Sequence, residues 1–380
     1  MNNIDFLLID DDLNQEKLFI EAIEEISESK KSNITYKVVK TPEEAMTELY
    51  QNCFRAIIID LKLKNEDDSV DSDEEISGNI LLKKIIEKEI VPIVVITGFP
   101  EKISDDIDTD IVKVYPKEVV LYNVINDLIE KYSNSVFKIF GSRGKINEDI
   151  KELFWKVMPN YFVGGNGDIS QLPSDKQEKV IVRYISSWFS NKYMFEDKYL
   201  DVDPIEMYMF PNPIEQVCTC DIFQKMIDDN SFEHYIVLTP SCDLANKKVD
   251  EVLLCKIKKY DDVHSFKNKL DAYNNLENKT SNKAIKKKED LSKWFRNSDS
   301  ESLRYHFLPK ISQFSGGFVD FRAIITLEYD NESGKIKDET YTKVGVITES
   351  FKRDIISRFS SYYHRQGQPE FNCESVLSHL

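Results

Sequence analysis

The 380-residue chain has no run near the ~18 to 20 consecutive apolar residues that a membrane-spanning helix needs. It also lacks the continued apolar stretch of an export signal, because MNNIDFLLIDDD breaks into three carboxylates. A cytoplasmic protein is therefore expected. Histidine is scarce: His234, His264, His306, His364 and His379 are the whole complement, and none stands in a recognisable catalytic pairing. The six cysteines (Cys53, Cys218, Cys220, Cys242, Cys255, Cys373) make no disulfide framework in a large chain without an export signal, so reduced thiols are expected. Positive charge is short as well. Against 67 acidic residues stand 50 basic ones, a net charge of -17, which argues against a protein whose main task is gripping a phosphate backbone. No compact basic recognition helix closes the chain, so nucleic acid is disfavoured as a partner without being excluded.

What is present fills real cores: 41% of the residues are apolar and 11% aromatic, which rules out a wholly disordered chain and leaves room for two or three domains. The charge is unevenly placed. Residues 1–135 carry 30 acidic and 15 basic residues, a net -15, which leaves -2 for the remainder. Two differently constituted modules follow.

In the first module, short apolar runs alternate with stretches of helical period. DFLLID is followed by a helix over 13–26, ITYKVV by one over 41–50, FRAIIID by one over 80–89; PIVVIT leads through a short acidic stretch to IVKVYP and a last helix over 118–131. The strands are nearly continuous in Val, Ile and Leu, as a parallel sheet covered on both faces requires. Thr41, Pro42 and Glu44 read as a capping box with proline at the first helical position. The fold class is α/β, an open doubly wound parallel sheet.

Function in such a sheet sits at the carboxyl ends of the strands. Those ends carry Asp10, Asp11 and Asp12, then Asp60, Thr97 and Lys117. Carboxylates converging at one edge repel unless a cation lies between them, and hard oxygen ligands suit Mg²⁺. With a metal bound, the central carboxylate can attack a phosphoryl group while an ammonium and a hydroxyl serve the phosphoryl oxygens. An acidic pair, an acceptor Asp, a Thr and a Lys in this order resemble the receiver domain of two-component response regulators, a flavodoxin-like fold, over roughly the first third of the chain. The resemblance implies that Asp10 and Asp11, with Asp60 and the backbone carbonyl of Lys62, hold Mg²⁺. It also implies that Asp60 is the phosphoacceptor, Thr97 the switch hydroxyl and Lys117 the phosphoryl-sensing ammonium. A histidine kinase would be the phosphodonor. Receivers often dimerise through the last helix and strand edge, so a homodimer stays open.

Three features depart from the family pattern. Residues 64–76, carrying NEDDSVDSDEE, lengthen the loop between the acceptor and Gly78; they read as a solvated acidic loop or as a gate or docking segment. Pro116 precedes Lys117, where the family commonly has proline after its lysine. Tyr115 is the only nearby candidate for the family's aromatic switch residue.

Residues 133–147 lose periodicity and read as a linker, placing the receiver at 1–132 and a second, α+β domain at 148–380. Gly141 to Lys145 fails the phosphate-loop spacing. The second domain promises a long helix over 174–195 with Val180, Ile181, Tyr184, Ile185 and Trp188 as a core stripe. Strands are expected over 234–239, 249–257, 319–329 and 340–348, the last two as a hairpin, with exposed lysine-rich helices over 265–300 and a helix over 348–364.

One constellation is HYIVL running into Thr239, Pro240, Ser241, Cys242 and Asp243, a way for a rigid strand end to present reactive groups. Cys242 as a nucleophile would need a histidine; Cys218, Cys220, Cys242 and Cys255 match no common zinc spacing. An ordinary turn is the plainer reading. Asp243, Asp250, Asp320 and Arg322 could be drawn together as a metal-dependent nuclease site, though nothing in their spacing requires it. PSCDL, FLP, VDFR and RFSSYYHRQGQP are similar to segments of uncharacterised bacterial proteins of defence-type gene clusters, in which receiver-like domains are paired with a histidine-kinase-like ATPase. Three readings follow: a phosphorylation-switched signalling protein, a receiver-restrained hydrolase or nuclease, and a silent-receiver scaffold for that ATPase.

Overall fold

The structure, a computed structural model, describes residues 2–63, 77–134, 136–141, 144–161, 169, 172–196, 202–228, 231–365 and 370–379. The acidic segment 64–76 and the last residues of RFSSYYHRQGQP lie outside them. The chain forms two compact units, Met1–Met194 and Phe195–Leu380. Among the described residues no helix is long and apolar enough to cross a membrane.

The first unit runs β1 (Asn2–Ile9), α1 (Leu13–Lys30), β2 (Tyr36–Val39), α2 (Pro42–Gln51), β3 (Asn52–Ile59), α3 (Ser77–Lys88), β4 (Ile93–Thr97), β5 (Lys113–Pro116) and α4 (Leu121–Asn134). All five strands are parallel, in the order β2-β1-β3-β4-β5. This is the flavodoxin-like doubly wound fold. Alternate residues of each strand feed opposite cores, which is why the strands are apolar throughout. Leu7, Ile9, Ile57, Ile59 and Val95 pack with Ala45 and Leu49 of α2 and Leu81, Leu82 and Ile85 of α3. Phe6, Leu8, Ile58, Val94 and Ile96 pack with Phe19, Ile23 and Ile26 of α1 and Ile125 and Leu128 of α4. Between β4 and β5 the chain makes only a 3-10 turn at Pro100–Lys102, and Ile107 and Val112 of that acidic stretch fill the core where a helix would otherwise lie. At α2, Thr41 Oγ1 accepts the Glu44 N–H at 3.2 Å, while Glu44 Oε2 accepts the N–H of Lys40, at 2.8 Å, instead of that of Thr41. The box is thus shifted one residue outwards.

Residues 133–147 carry the end of α4, then α5 (Val136–Phe140) and the start of α6 (Lys145–Glu152), which passes through a π turn into α7 (Met158–Tyr161). α8 (Ser174–Glu196) belongs to this first unit as far as Met194. It is anchored to α6 by Lys192, whose ammonium lies 2.9 Å from Asp149 Oδ1 and 2.8 Å from Glu152 Oε2. The expected core stripe of α8 is only half-buried at Val180, Ile181, Tyr184, Ile185 and Trp188.

The second unit contains β6 (Tyr208–Met209), β7 (Asp221–Asp228), β8 (Ser231–Val237), α9 (Ser241–Ala245), β9 (Glu251–Lys258), α10 (His264–Asn274), α11 (Asn282–Phe295), β10 (Tyr305–Leu308), β11 (Gly317–Asp330), β12 (Lys335–Ile336), β13 (Tyr341–Ile347), α12 (Glu349–His364) and α13 (Cys373–Leu377). The main strand path is antiparallel, β10-β11-β9-β8-β7-β13-β6. The expected β11–β13 hairpin is not formed: β11 turns back on β12, and β13 pairs with β7 and β6. The sheet curls, since the Tyr208 hydroxyl of one edge strand donates to the Pro309 carbonyl just past the other, at 2.8 Å. Inside the curl, Ile355 of α12, with Phe351, Phe359 and Tyr362 beside it, packs on Ile236, Val319 and Phe321. The lysine-rich helices are not merely exposed; Phe266, Leu291 and Trp294 bury one face of α10 and α11 against Tyr305 and Phe318.

Candidate functional site

Each receiver-like side chain stands at the carboxyl edge of the parallel sheet. Asp10 follows β1, Asp60 follows β3, Thr97 ends β4 and Lys117 follows β5. Asp10, Asp60 and Thr97 are buried, at 2%, 3% and 0% exposure. The Lys117 ammonium reaches back to 2.9 Å from Asp60 Oδ2, 3.6 Å from Asp10 Oδ1 and 3.6 Å from Asp12 Oδ2. Backbone donors add to this: the Asp12 N–H lies 2.8 Å from Asp10 Oδ1, the oxygen that also faces Lys117, and the Lys62 N–H 3.3 Å from Asp60 Oδ1. Thr97 Oγ1 accepts the Phe99 N–H at 3.3 Å, which leaves its proton to give.

One support was not singled out from sequence. Gln15, at the head of the buried stripe of α1, donates its amide to the Lys117 carbonyl at 3.3 Å and so steadies the turn that aims the lysine. It is the one polar residue on that stripe, and this was its signal. Asp12 caps α1, accepting the Asn14 N–H at 2.9 Å, and adds a third carboxylate around Lys117. Gly78 holds α3 against the end of β3: its N–H donates to the Leu61 carbonyl at 2.8 Å, and a Cβ there would lie 2.4 Å from Leu61 Cα.

Three carboxylates of this edge, those of Asp10, Asp12 and Asp60, share the Lys117 ammonium. Burial, and then the neighbouring Asp60 and Asp12, push the Asp10 carboxyl up to about 6 against the pull of the Asp12 N–H and Lys117. Burial opposes the charge on Lys117, but its bond to Asp60 and the fields of Asp10, Asp60 and Asp12 outweigh that and raise its pKa. Asp10, Asp11 and Asp60 each offer an oxygen, all within 4.8 Å of one another, the only such His/Cys/Asp/Glu group among the described residues. Hard oxygen donors so spaced fit a small divalent cation such as Mg²⁺. Tyr115 packs half-buried on the α1 and α4 side of the sheet, and Pro116 pairs with Thr97.

The second-unit candidates are not brought together in this way. Cys242 is exposed on the short α9, its Sγ 3.6 Å from Asp243 Oδ1, and Asp250 contributes a backbone carbonyl to Tyr329. Asp320 is buried and already satisfied. Arg304 grips both its oxygens at 2.8 and 2.7 Å, Lys258 lies at 3.1 Å, and the Arg322 N–H adds a fourth donor. Burial alone would raise this carboxyl; those donors outweigh it and hold it below the usual range. The Arg322 guanidinium turns away to the Tyr362 hydroxyl. All six cysteines are free; burial pushes Cys220 and Cys255 up to about 12, which keeps both as thiols. Among the described residues they make no metal-ligating group.

No family model matches the chain, and no curated protein matches it. Among solved structures, a CheY-like receiver domain from Methylobacillus flagellatus is similar at 16% identity, covering 34% of this chain and 98% of that one, with a TM-score of 0.25. The Thermotoga maritima response regulator TrrA, in complex with Mg²⁺ and beryllofluoride, is similar at 19% identity, over 34% of this chain and 98% of that one, with a TM-score of 0.25. The Salmonella typhimurium response regulator RcsB is similar at 19% identity over 40% of this chain and 70% of that one, with a TM-score of 0.28. These are likenesses of fold; the roles of the side chains rest on their own geometry.

Proposed function

We propose that the first unit accepts a phosphoryl group on Asp60 and that this state switches the second unit. One observation carries the reading: the buried Asp60 carboxylate, at a strand end, lies 2.9 Å from the Lys117 ammonium inside a carboxylate trio spaced for a divalent ion. In the transfer, an Asp60 oxygen bonds to phosphorus as the donor's P–O or P–N bond breaks. An acyl phosphate departs as its carboxylate; a phosphohistidine departs as imidazole, its nitrogen taking a proton from solvent. Asp10, Asp11, Asp60 and the Lys62 carbonyl would hold Mg²⁺, which spreads the charge on the phosphoryl oxygens when bound. Lys117, already paired with Asp60, exchanges that oxygen for a phosphoryl oxygen. Thr97 donates its hydroxyl proton to another and draws the β4 end inwards. A phosphoryl group adds roughly -1.5 to -2 charge to an edge already rich in carboxylates, so both responses are needed to hold the new state. The natural donor under this reading is a histidine kinase or a histidine-kinase-like ATPase. The test is intact mass after incubation with acetyl phosphate, with and without Mg²⁺. A Mg²⁺-dependent gain of one phosphoryl group, absent in Asp60→Ala, is expected; no gain in the parent refutes the reading.

A further inference from the structure

β11 is bordered along one edge by β9 and along the other by two short strands, β10 against residues 317–320 and β12 against residues 329–330. Between those two the outer edge is bare. The Phe321 N–H donates to the Arg304 carbonyl at 3.1 Å and the Glu328 carbonyl accepts the Lys337 N–H at 3.0 Å, but among the described residues no backbone group pairs with 322–327 from that side. Successive residues of an antiparallel strand turn their backbone groups to opposite edges. The Tyr329 N–H turns to Asp250, just before β9, and the Glu328 carbonyl turns outwards, so Ile324 and Thr326 direct their N–H and C=O groups into the gap. The gap is about 20 Å long at ~3.4 Å per residue. Arg322, Ile324, Thr326 and Glu328 are exposed along it, while the alternate residues Ile325 and Leu327 pack on the core. An open edge rich in β-branched residues is a template for a further strand.

We propose that this gap is the docking site for an extended segment of a partner protein, added antiparallel to β11 between β10 and β12, with a basic residue near its start and an acidic one at its end. The charges at the two ends of the gap select it. At the 322 end the guanidinium groups of Arg322 and Arg365 both lie over the Tyr362 ring, 6.0 and 4.4 Å from its centre, and the nearby Asp320 is already held by Arg304 and Lys258. At the 328 end Glu328 stands opposite Glu251 of β9, two carboxylates against the Lys337 ammonium, 3.2 Å from Glu328. The next pair along, Asp330 and Lys335, adds one charge of each sign. A second copy of β11 does not fit the gap, because its own β10 and β12 flank its pairing edge and would run into these; a free segment of about six residues does. In strand addition of this kind the main chain supplies affinity and alternate side chains supply specificity. The gap and its charges are independent of the chemistry of Asp60.

The test uses the full-length chain labelled with ¹⁵N and three acetylated, amidated hexapeptides: Val-Lys-Val-Thr-Val-Glu, its charge-reversed form Val-Glu-Val-Thr-Val-Lys, and the first peptide N-methylated at its second and fourth residues, whose N–H groups would face Thr326 and Ile324. The first is expected to bind saturably and to slow amide hydrogen exchange at Ile324 and Thr326 at least about tenfold. Charge reversal is expected to weaken binding roughly 3- to 10-fold at low salt, the scale of one or two exposed ion pairs. N-methylation, which removes main-chain bonds and no side chain, is expected to abolish saturable binding. In Arg322→Glu the preference for the first peptide over the charge-reversed one should vanish. Absence of saturable binding of the first peptide, equal binding of the N-methylated or the charge-reversed one, or unchanged exchange at Ile324 and Thr326 at saturation would each overturn the proposal, whatever the variant does. A dimer in sedimentation whose Ile324 and Thr326 amides are already protected without peptide would put a second copy in the gap and overturn it as well.

Discussion

Two buried residues carry opposite kinds of stress. Asp10 keeps its carboxylate among like charges at the sheet edge, where Lys117 and the Asp12 N–H offset its burial in part. Asp10→Asn preserves an acceptor for the Asp12 N–H and removes one charge. Urea unfolding in a chelator is expected to show a gain of about 1 to 2 kcal/mol, since burying a crowded charge costs more than its one distant partner returns. Under the proposed reading the same variant should bind Mg²⁺ at least ~10-fold more weakly by titration, because a neutral amide oxygen replaces a charged ligand. A site that is less stable for the sake of its chemistry predicts both signs together. His306 is stressed by protonation instead. Its folded pKa, about 3, lies below the unfolded ~6.5, so the unfolded chain takes up a proton first as pH falls. The stability contribution of the neutral ring is whole above about pH 6.5 and is lost progressively towards pH 3, at up to ~1.4 kcal/mol per pH unit. Asp354, 60% exposed and 3.7 Å away, screens too poorly to reverse this, and Arg358 adds to it. Unfolding of the second unit, followed at pH 7, 6 and 5, should show the slope in the parent and lose most of it in His306→Gln; the first unit, where Asp10 has a raised pKa, should slope the other way.

At the level of elements, the β3–α3 junction couples packing to the site. Gly78 starts α3 against the peptide that follows Asp60, where a methyl group would meet Leu61 Cα and O at 2.4 Å and Asp60 O at 2.5 Å. Those are backbone atoms and cannot swing aside. Gly78→Ala is therefore expected to cost about 1 to 3 kcal/mol in urea unfolding, as overpacking does, and to slow phosphoryl gain by mass as Asp60 shifts with its strand. This junction was legible in the sequence because an aspartate after a strand and a glycine before a helix are local signals. So were all five parallel strands, whose cores on both faces leave no polar alternation to blur the reading. The β11–β13 pairing was misread for a physical reason. A polar turn announces that the chain reverses, but the two-residue β12 uses up that reversal, and the partner of β13 is β7, more than a hundred residues earlier. Likewise the sequence left Asp320 open to grouping with Asp243, Asp250 and Arg322, whereas its counterions are Arg304, just before β10, and Lys258 of β9. Pairing across a sheet is long-range, and spacing along the chain carries no record of it.

For the whole molecule, the two units carry separate cores, and the charge asymmetry follows the chain, with -15 of the net -17 in residues 1–135. Calorimetry of the full chain is expected to show two transitions, identified by ligand and by pH. Mg²⁺ with beryllofluoride at about 100 times its dissociation constant stabilises whatever binds it by ~2.7 kcal/mol, or roughly 5 to 10 °C for a unit of this size. That shift should fall on the transition of the first unit. The transition that weakens below pH 6 belongs to the second unit, through His306. A receiver that switches the second unit must exchange free energy with it, typically ~1 to 3 kcal/mol, so the pH-sensitive transition should move too when beryllofluoride binds. Asp60→Ala should abolish both shifts. If only the first transition moves, Asp60 can still take a phosphoryl group, but the second unit does not feel it, and the switching part of the reading fails.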